Sequence, residues 1–412
     1  MSIRARDLAG FVFAVLLLNA GAGANNQGPG SAAQPGDAPP PIVLKLPGPT
    51  PAGRNPECTA MSAGRDQEDP NCTKANSPRL TNEKGGTGET GPYEVVPGFF
   101  KPTLFPQGYT WSRVGGIFAE SPDRIYVYIS GIVPVQSAPP WGALLRYFGL
   151  SNQGLVSPET RREFILTVFD GTGKQIEAWR NVDKYHNGQG STPHRVRVSP
   201  YDPEKHVWII DEGRPPYDQI IKYTHDGKEV MRIAGKAATS DIAFLPNGDF
   251  LAIQRTDTEE PFIRYSKDGQ ELGRMGPKGA TKDAHCAGFD KKGNIYVGEM
   301  GGGRVQVFDP TGKSIDIWPN LRIPNFCAMD QNDNFWVFDS EAIRFLKYDL
   351  NGKLLSSWGT LGYYPGRFTH VNQFDVDPQG NLYVAEPFGW RPQLLRPKPN
   401  AKKEDLIAPL HK

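Results

Sequence analysis

Two histidines, His194 and His285, fall at one repeat position of this sequence, and a third, His370, lies two residues before the same position in a later repeat, at Asn372. Three imidazoles held around one axis would give a metal such as Zn2+ three nitrogen ligands and leave a fourth position open for water or substrate. The candidate metal ligands are therefore His194, His285, His370 and Asn372. In a strand, residues two apart share a face, which makes His370 and Asn372 alternatives for one corner of the site. His186 is a further candidate in the loop before the second repeat, whereas His206 and His225 fall at strand or turn positions that point elsewhere. Arg214 and Arg255 follow the second strands of their repeats and would add positive charge to the same mouth. The bland alternative is that each histidine caps an inner strand through a backbone carbonyl and that the arginines are solvated loop charges.

The elements that must position these residues are read from a repeated unit, complete from Asp283 to Trp318. Its second strand, Ile295 to Gly298, is rich in β-formers. Its third, Arg304 to Phe308, alternates apolar and polar residues with the period of a half-buried strand. The turns before and after these strands are built on Gly293 and Gly312, which tolerate tight hairpin geometry. Copies of the second strand begin at Arg124, His206, Asp249, Asn294, Asn334 and Asn381. The glycines of the last turn, at 173, 227, 269, 312 and 352, recur at intervals of 40 to 54 residues. That interval marks propeller blades. The expected fold is all-β, a six-bladed β-propeller with four-stranded blades; its closed ring leaves no strand edge that demands a partner, and the chain is expected to be a monomer.

In a propeller, the loops entering the innermost strands surround one end of the central channel. Counting nine residues back from each second strand gives Gly115, Ser240, His285, Asn325 and Asn372, and blade two reaches His194 once its three-residue longer turn is allowed for. The last blade lacks an outer strand, which the N-terminal piece ahead of the first innermost strand would supply.

The rest of the chain bounds the function. A balance of 46 basic and 45 acidic residues gives a net charge of +1, with no basic stripe to attract nucleic acid. Residues 1–24 carry Arg4 and Arg6, an apolar run from Leu8 to Leu18 and then small residues, the pattern of a signal peptide rather than an anchor. Export to the periplasm or the exterior is expected, with no membrane association after cleavage. Residues 25–91 form a Pro/Gly-rich arm expected to be disordered, with nine prolines between Pro29 and Pro56. Cys58 and Cys72 in this arm are expected to pair, whereas Cys286 and Cys327, one position out of register between neighbouring blades, are expected to sit on opposite strand faces and stay reduced. The propeller spans 92–396, with a Pro/Trp-rich insertion at 131–162 expected to cover one face, and 397–412 is a polar tail.

The repeats resemble NHL repeats. Pro-His-Arg-Val at 193–196, Ala-His-Cys-Ala at 284–287 and PQGNLYVAE at 378–386 resemble bacterial relatives of peptidyl-α-hydroxyglycine α-amidating lyase, over residues 110–396. This resemblance implies a six-bladed propeller, zinc held by three histidines at the inner-strand entrances, a structural Ca2+ and a lyase that cleaves a carbinolamide C–N bond in a small peptide-like substrate. The family's third-blade tyrosine falls at about Thr256, its fourth-blade arginine at Met300 and its first-blade arginine near Ser130. Asn372 stands where its third histidine would be. The candidate substrate-pocket residues are thus Arg214, Arg255 and Met300. A second class of function is a non-catalytic propeller scaffold that binds a protein or glycan through its loops.

Overall fold

The computed structural model describes residues 90–135, 160–186, 192–213, 217–235 and 238–410. Residues 1–24, expected to be a signal peptide, the arm with Cys58 and Cys72, most of the 131–162 insertion and Arg214 lie outside these residues. Among the described residues the strands form six antiparallel four-stranded sheets and a two-stranded one, in which Tyr109–Trp111 pairs with Ile132–Pro134. The six large sheets are the blades of the propeller.

Blades two to five each run in sequence order, from an innermost strand at the channel to an outermost one at the rim. Every inner strand is covered on both faces by neighbouring blades, so strands such as Phe335–Asp339 and Pro324–Met329 are buried throughout. Two covered faces select a continuous apolar run rather than alternation. The rim strand Glu271–Met275, by contrast, is exposed over most of its length.

The innermost strands share one irregularity. In blades one to five the pairing with the second strand skips a residue, and the residues skipped are Gly115, His194, Ser240, His285 and Asn325. A bulge leaves one residue unpaired and re-aims its side chain. Here it turns that residue across the gap to the next blade, at the channel mouth, which is why a simple count from the second strand finds the ring. In blade six Asn372 takes the equivalent place just before the strand Gln373–Val376, its backbone N–H donating to the Ala385 carbonyl at 3.0 Å.

Tryptophans at the ends of outer strands pack between blades. Trp318 lies against Tyr296, Phe335 and Tyr348. It also lies under Gly352 of the next blade's outer turn, where φ is +75° and a Cβ would come 2.5 Å from the indole. Glycine there answers both a left-handed backbone and a lack of room. Trp358 meets Gly91 in the same way.

The ring closes with residues from both ends of the described chain. Tyr93–Val95 is the outermost strand of blade six, paired with Arg391–Pro397. The segment after Pro397, polar in overall composition, returns across blades five and six, where Ile407 and Leu410 join the core and the Ile407 N–H donates to the Tyr93 hydroxyl at 2.9 Å.

One expectation is overturned. Cys286 and Cys327 form a disulfide with a Cα–Cα separation of 5.4 Å. Opposite parity within a single sheet would keep them apart, but they lie on different blades. Blades stack face to back, so a residue on one face of blade four meets a residue on the opposite face of blade five.

Candidate metal centre

The ring residues hand their side chains to the backbone of the next blade. The Ser240 hydroxyl donates to the Ala284 carbonyl at 2.9 Å, and the Asn325 amide to the Val371 carbonyl at 2.8 Å. The Asn372 amide donates to the carbonyls of Gly115 and His194, and its oxygen accepts from Asn325. Gly115 contributes no side chain, and a Cβ there would overlap the Pro193 carbonyl.

The two histidines take part in this relay with one nitrogen each. His194 Nδ1–H donates to the Ser240 carbonyl at 2.6 Å, and His285 Nδ1–H to the Asn325 carbonyl at 2.5 Å. The bland alternative is thus met in half: each Nδ1 is satisfied by a carbonyl, and each Nε2 is left as a lone-pair donor aimed elsewhere. That arrangement of tautomer and orientation is the one metal-bound histidines adopt.

Both Nε2 atoms face one carboxylate. His194 Nε2 lies 3.5 Å from Glu212 Oε2 and His285 Nε2 lies 3.5 Å from Glu212 Oε1. The two rings meet edge to face with centroids 4.7 Å apart. His194 Nε2 is buried and makes no hydrogen bond. Ligand atoms on a tetrahedral zinc are roughly 3.4 Å from one another, given bond lengths of about 2.0 to 2.2 Å. One ligand atom of each of His194, His285 and Glu212 lies within 4.8 Å of the others, so two nitrogens and a carboxylate could hold such an ion after a small adjustment.

The surroundings keep the imidazoles neutral. Burial, assisted by the nearby Arg195 guanidinium, holds both well below the usual histidine range. Neutral imidazole is the form that binds a cation. Arg195 is itself fully buried, stacked on Phe326, and donates from Nη2 to the carbonyls of His285 and Asn325 at 3.3 and 3.0 Å. Burial brings its pKa down to about 9, partly offset by Asp241.

Arg255 closes the outer side of the site. Its Nη1 contacts Glu212, while Nε and Nη2 hold Asp283 at 2.5 and 2.8 Å. Burial would raise the Asp283 pKa, but the bidentate Arg255 outweighs it and lowers that pKa below the carboxylate norm. Met300, half-buried, donates its backbone N–H to the Asp283 carbonyl. Two sequence candidates, Arg255 and Met300, thus sit together at this mouth, and Arg214 lies outside the described residues.

His370 and Asn372 are not brought to the pair. His370 lies in the loop before the last innermost strand, with its ring 4.4 Å from that of Phe388, and the Asn372 amide is engaged by the relay at both ends. His186 is placed in a separate buried cluster, where its Nε2 is 2.9 Å from both Asp211 and the Tyr128 hydroxyl. Glu212 is the residue missed by a search for histidines. It ends its second strand at the repeat position that Arg255 and Met300 hold just after theirs, and that register was the available signal.

A second group of possible ligands, Asp202, Glu204 and His206, lies in the long turn of blade two. Asp202 contacts His206 Nδ1 at 2.6 Å and Glu204 faces Nε2 at 3.3 Å. One ligand atom of each lies within 4.8 Å of the others, but Glu204 is largely exposed and the group stands at the surface, away from the channel mouth.

No family model and no curated protein matches this chain. Among solved structures, a protein of unknown function from Bacteroides thetaiotaomicron VPI-5482 is similar at 12% identity, with 70% of each chain covered and a TM-score of 0.49. A streptogramin B lyase is similar at 12% identity over 74% of this chain and 97% of its own, with a TM-score of 0.45. A putative gluconolactonase is similar at 11% identity over 71% of this chain and 93% of its own, with a TM-score of 0.46. These likenesses carry no argument about function, which rests on the site itself.

Proposed function

We propose that this chain is an exported NHL-type propeller that binds zinc between His194, His285 and Glu212 and cleaves a C–N bond in a small peptide-like substrate, as a divergent member of the amidating-lyase type. The observation that carries the reading is the pair of buried imidazoles, each tied by Nδ1 to a carbonyl of the next blade and each turning Nε2 to the same carboxylate. Two histidines and a glutamate match the ligand set of one class of catalytic zinc site, with a position left for substrate. Bound there, zinc would act as a Lewis acid on a substrate oxygen.

The chain's own residues bind and orient. The relay fixes both rings, Arg195 holds the carbonyls that fix His285, and burial keeps both imidazoles unprotonated. Arg255, now paired with Glu212 and Asp283, would be released to an anionic substrate group if zinc draws Glu212 away. Asp283, kept ionised by Arg255, is a carboxylate beside Glu212 that could accept a proton. The position of the family's tyrosine is taken by Thr256, so the base differs from the one the resemblance implies. Export is supported by the signal-like N-terminus and by the Cys286–Cys327 disulfide, which suits an oxidising compartment. Among the described residues no helix is long and apolar enough to cross a membrane.

The test is elemental analysis of the purified protein beside a His194→Ala/His285→Ala variant, followed by assay on peptides ending in α-hydroxyglycine. Near-stoichiometric zinc that is lost in the variant, together with turnover that is lost with it, is expected. No bound metal in the unaltered protein after reconstitution with zinc would overturn the reading and leave a propeller that binds partners through its loops.

A further inference from the structure

The innermost strands of blades four and five belong to separate sheets, with no backbone ladder between them. The gap is therefore spanned by packing and side-chain links, with close backbone approach at Gly288 and Met329 further along. Three links cross it beside the candidate metal centre. One is the 2.5 Å bond from His285 Nδ1–H to the Asn325 carbonyl, and another is Arg195 Nη2, which bonds the carbonyls of both residues. The third is covalent: the Cys286–Cys327 disulfide lies one residue beyond His285 and two beyond Asn325.

A glycine makes room for that disulfide. In the second strand of blade four Gly298 takes the place held by Ile210, Ile253, Phe338 and Ala385 in other blades. Its backbone has no left-handed φ. A Cβ there would come 2.6 Å from Cys286 Sγ and 3.2 Å from Cys327 Sγ. What selects glycine at this point is the volume of the sulfurs, not the backbone conformation.

We propose that the Cys286–Cys327 disulfide, seated over Gly298, is a positioning element of the metal centre: it fixes the gap between blades four and five so that the Asn325 carbonyl keeps His285 in the orientation that turns Nε2 to Glu212. The inference rests on the zinc reading above. If the gap widens, the Nδ1–H bond lengthens, the ring gains a second tautomer and rotation, and Nε2 is no longer held toward Glu212. Groups that orient a metal ligand through its other ring nitrogen typically alter metal affinity about 10- to 100-fold.

The experiment compares the full chain with a Cys286→Ala/Cys327→Ala variant in two measurements below their unfolding temperatures. Zinc affinity is read by competition with a chelator, and the imidazole tautomer of His285 by nitrogen NMR on metal-free protein. The expected result is a loss of about 10- to 100-fold in affinity, with the His285 Nδ1–H signal replaced by an exchanging mixture. Gly298→Ala provides an arm that keeps both cysteines: it should weaken zinc binding in the disulfide-bonded protein and restore part of it in the double variant, where the space has been vacated. Unchanged affinity and an unchanged Nδ1–H signal in the double variant would overturn the proposal. A full chain that binds no zinc would instead overturn the zinc reading, while the NMR comparison would still decide whether the disulfide holds His285.

Discussion

Arg255 reaches Glu212 with one guanidinium nitrogen and Asp283 with two others, so the carboxylate facing both histidines is already shared with a cation of the protein. A zinc ion would have to draw Glu212 away from Arg255 and then sit beside its positive charge. Arg255→Gln is therefore expected to tighten zinc binding, and Glu212→Gln to weaken it by more than about 100-fold, beyond the effect of an orienting group. Chelator competition on the two variants measures both signs, and weaker binding in Arg255→Gln would contradict this account.

The His186–Asp211–Tyr128 cluster should give stability a pH dependence of its own. Burial pulls the His186 pKa down, but the charge and hydrogen bond of Asp211 prevail and raise it above the ordinary value near 6.5. A histidine raised in the folded state contributes stability that is fully present below pH 6.5 and is lost as pH rises through its folded pKa. The unfolding temperature of the native protein should thus fall as pH rises above this point, and a His186→Asn variant should show a flatter profile. Parallel profiles would remove His186 as the cause.

The returning C-terminal segment is expected to be part of the folded unit. Ile407→Ala removes a buried side chain and should cost about 2–5 kcal/mol. Tyr93→Phe leaves the Ile407 N–H without its acceptor and should cost about 1–3 kcal/mol. Denaturant unfolding of the two single variants checks both values. The effects should be less than additive in the double variant, since both act on one contact.

Gly115 is predicted to admit no side chain. Gly115→Ala would drive a methyl group into the Pro193 carbonyl, and relief requires blade two to shift by its innermost strand, which carries His194. The expected cost is about 1–3 kcal/mol of stability, accompanied by weaker zinc binding. Thermal unfolding and metal content together separate this outcome from a simple loss of folded protein.

The blades and the ring position were legible because each repeat announces its second strand and its turn, and because the bulge falls at the same place in five inner strands. His194 and His285 follow from that regularity. His370 does not, since the rule that residues two apart share a face holds only inside a strand, and the last innermost strand starts at Gln373, after both His370 and Asn372. Glu212 was hidden by its type rather than its place, and the disulfide by the difference between faces of one sheet and facing sheets. Gly298 carried that signal, as the one missing side chain in an otherwise filled row.

The closure of blade six has a consequence for how the protein is made. Tyr93–Val95 leaves the ribosome before any complete blade, yet its partner Arg391–Pro397 emerges after nearly the whole propeller. Throughout synthesis the first strand is without its mate, and the newest blade presents an open edge of the kind that pairs with other chains. The ring can therefore close only once Arg391–Pro397 is available, and the segment from Lys398 to Leu410, last of the described chain to appear, lies across the join.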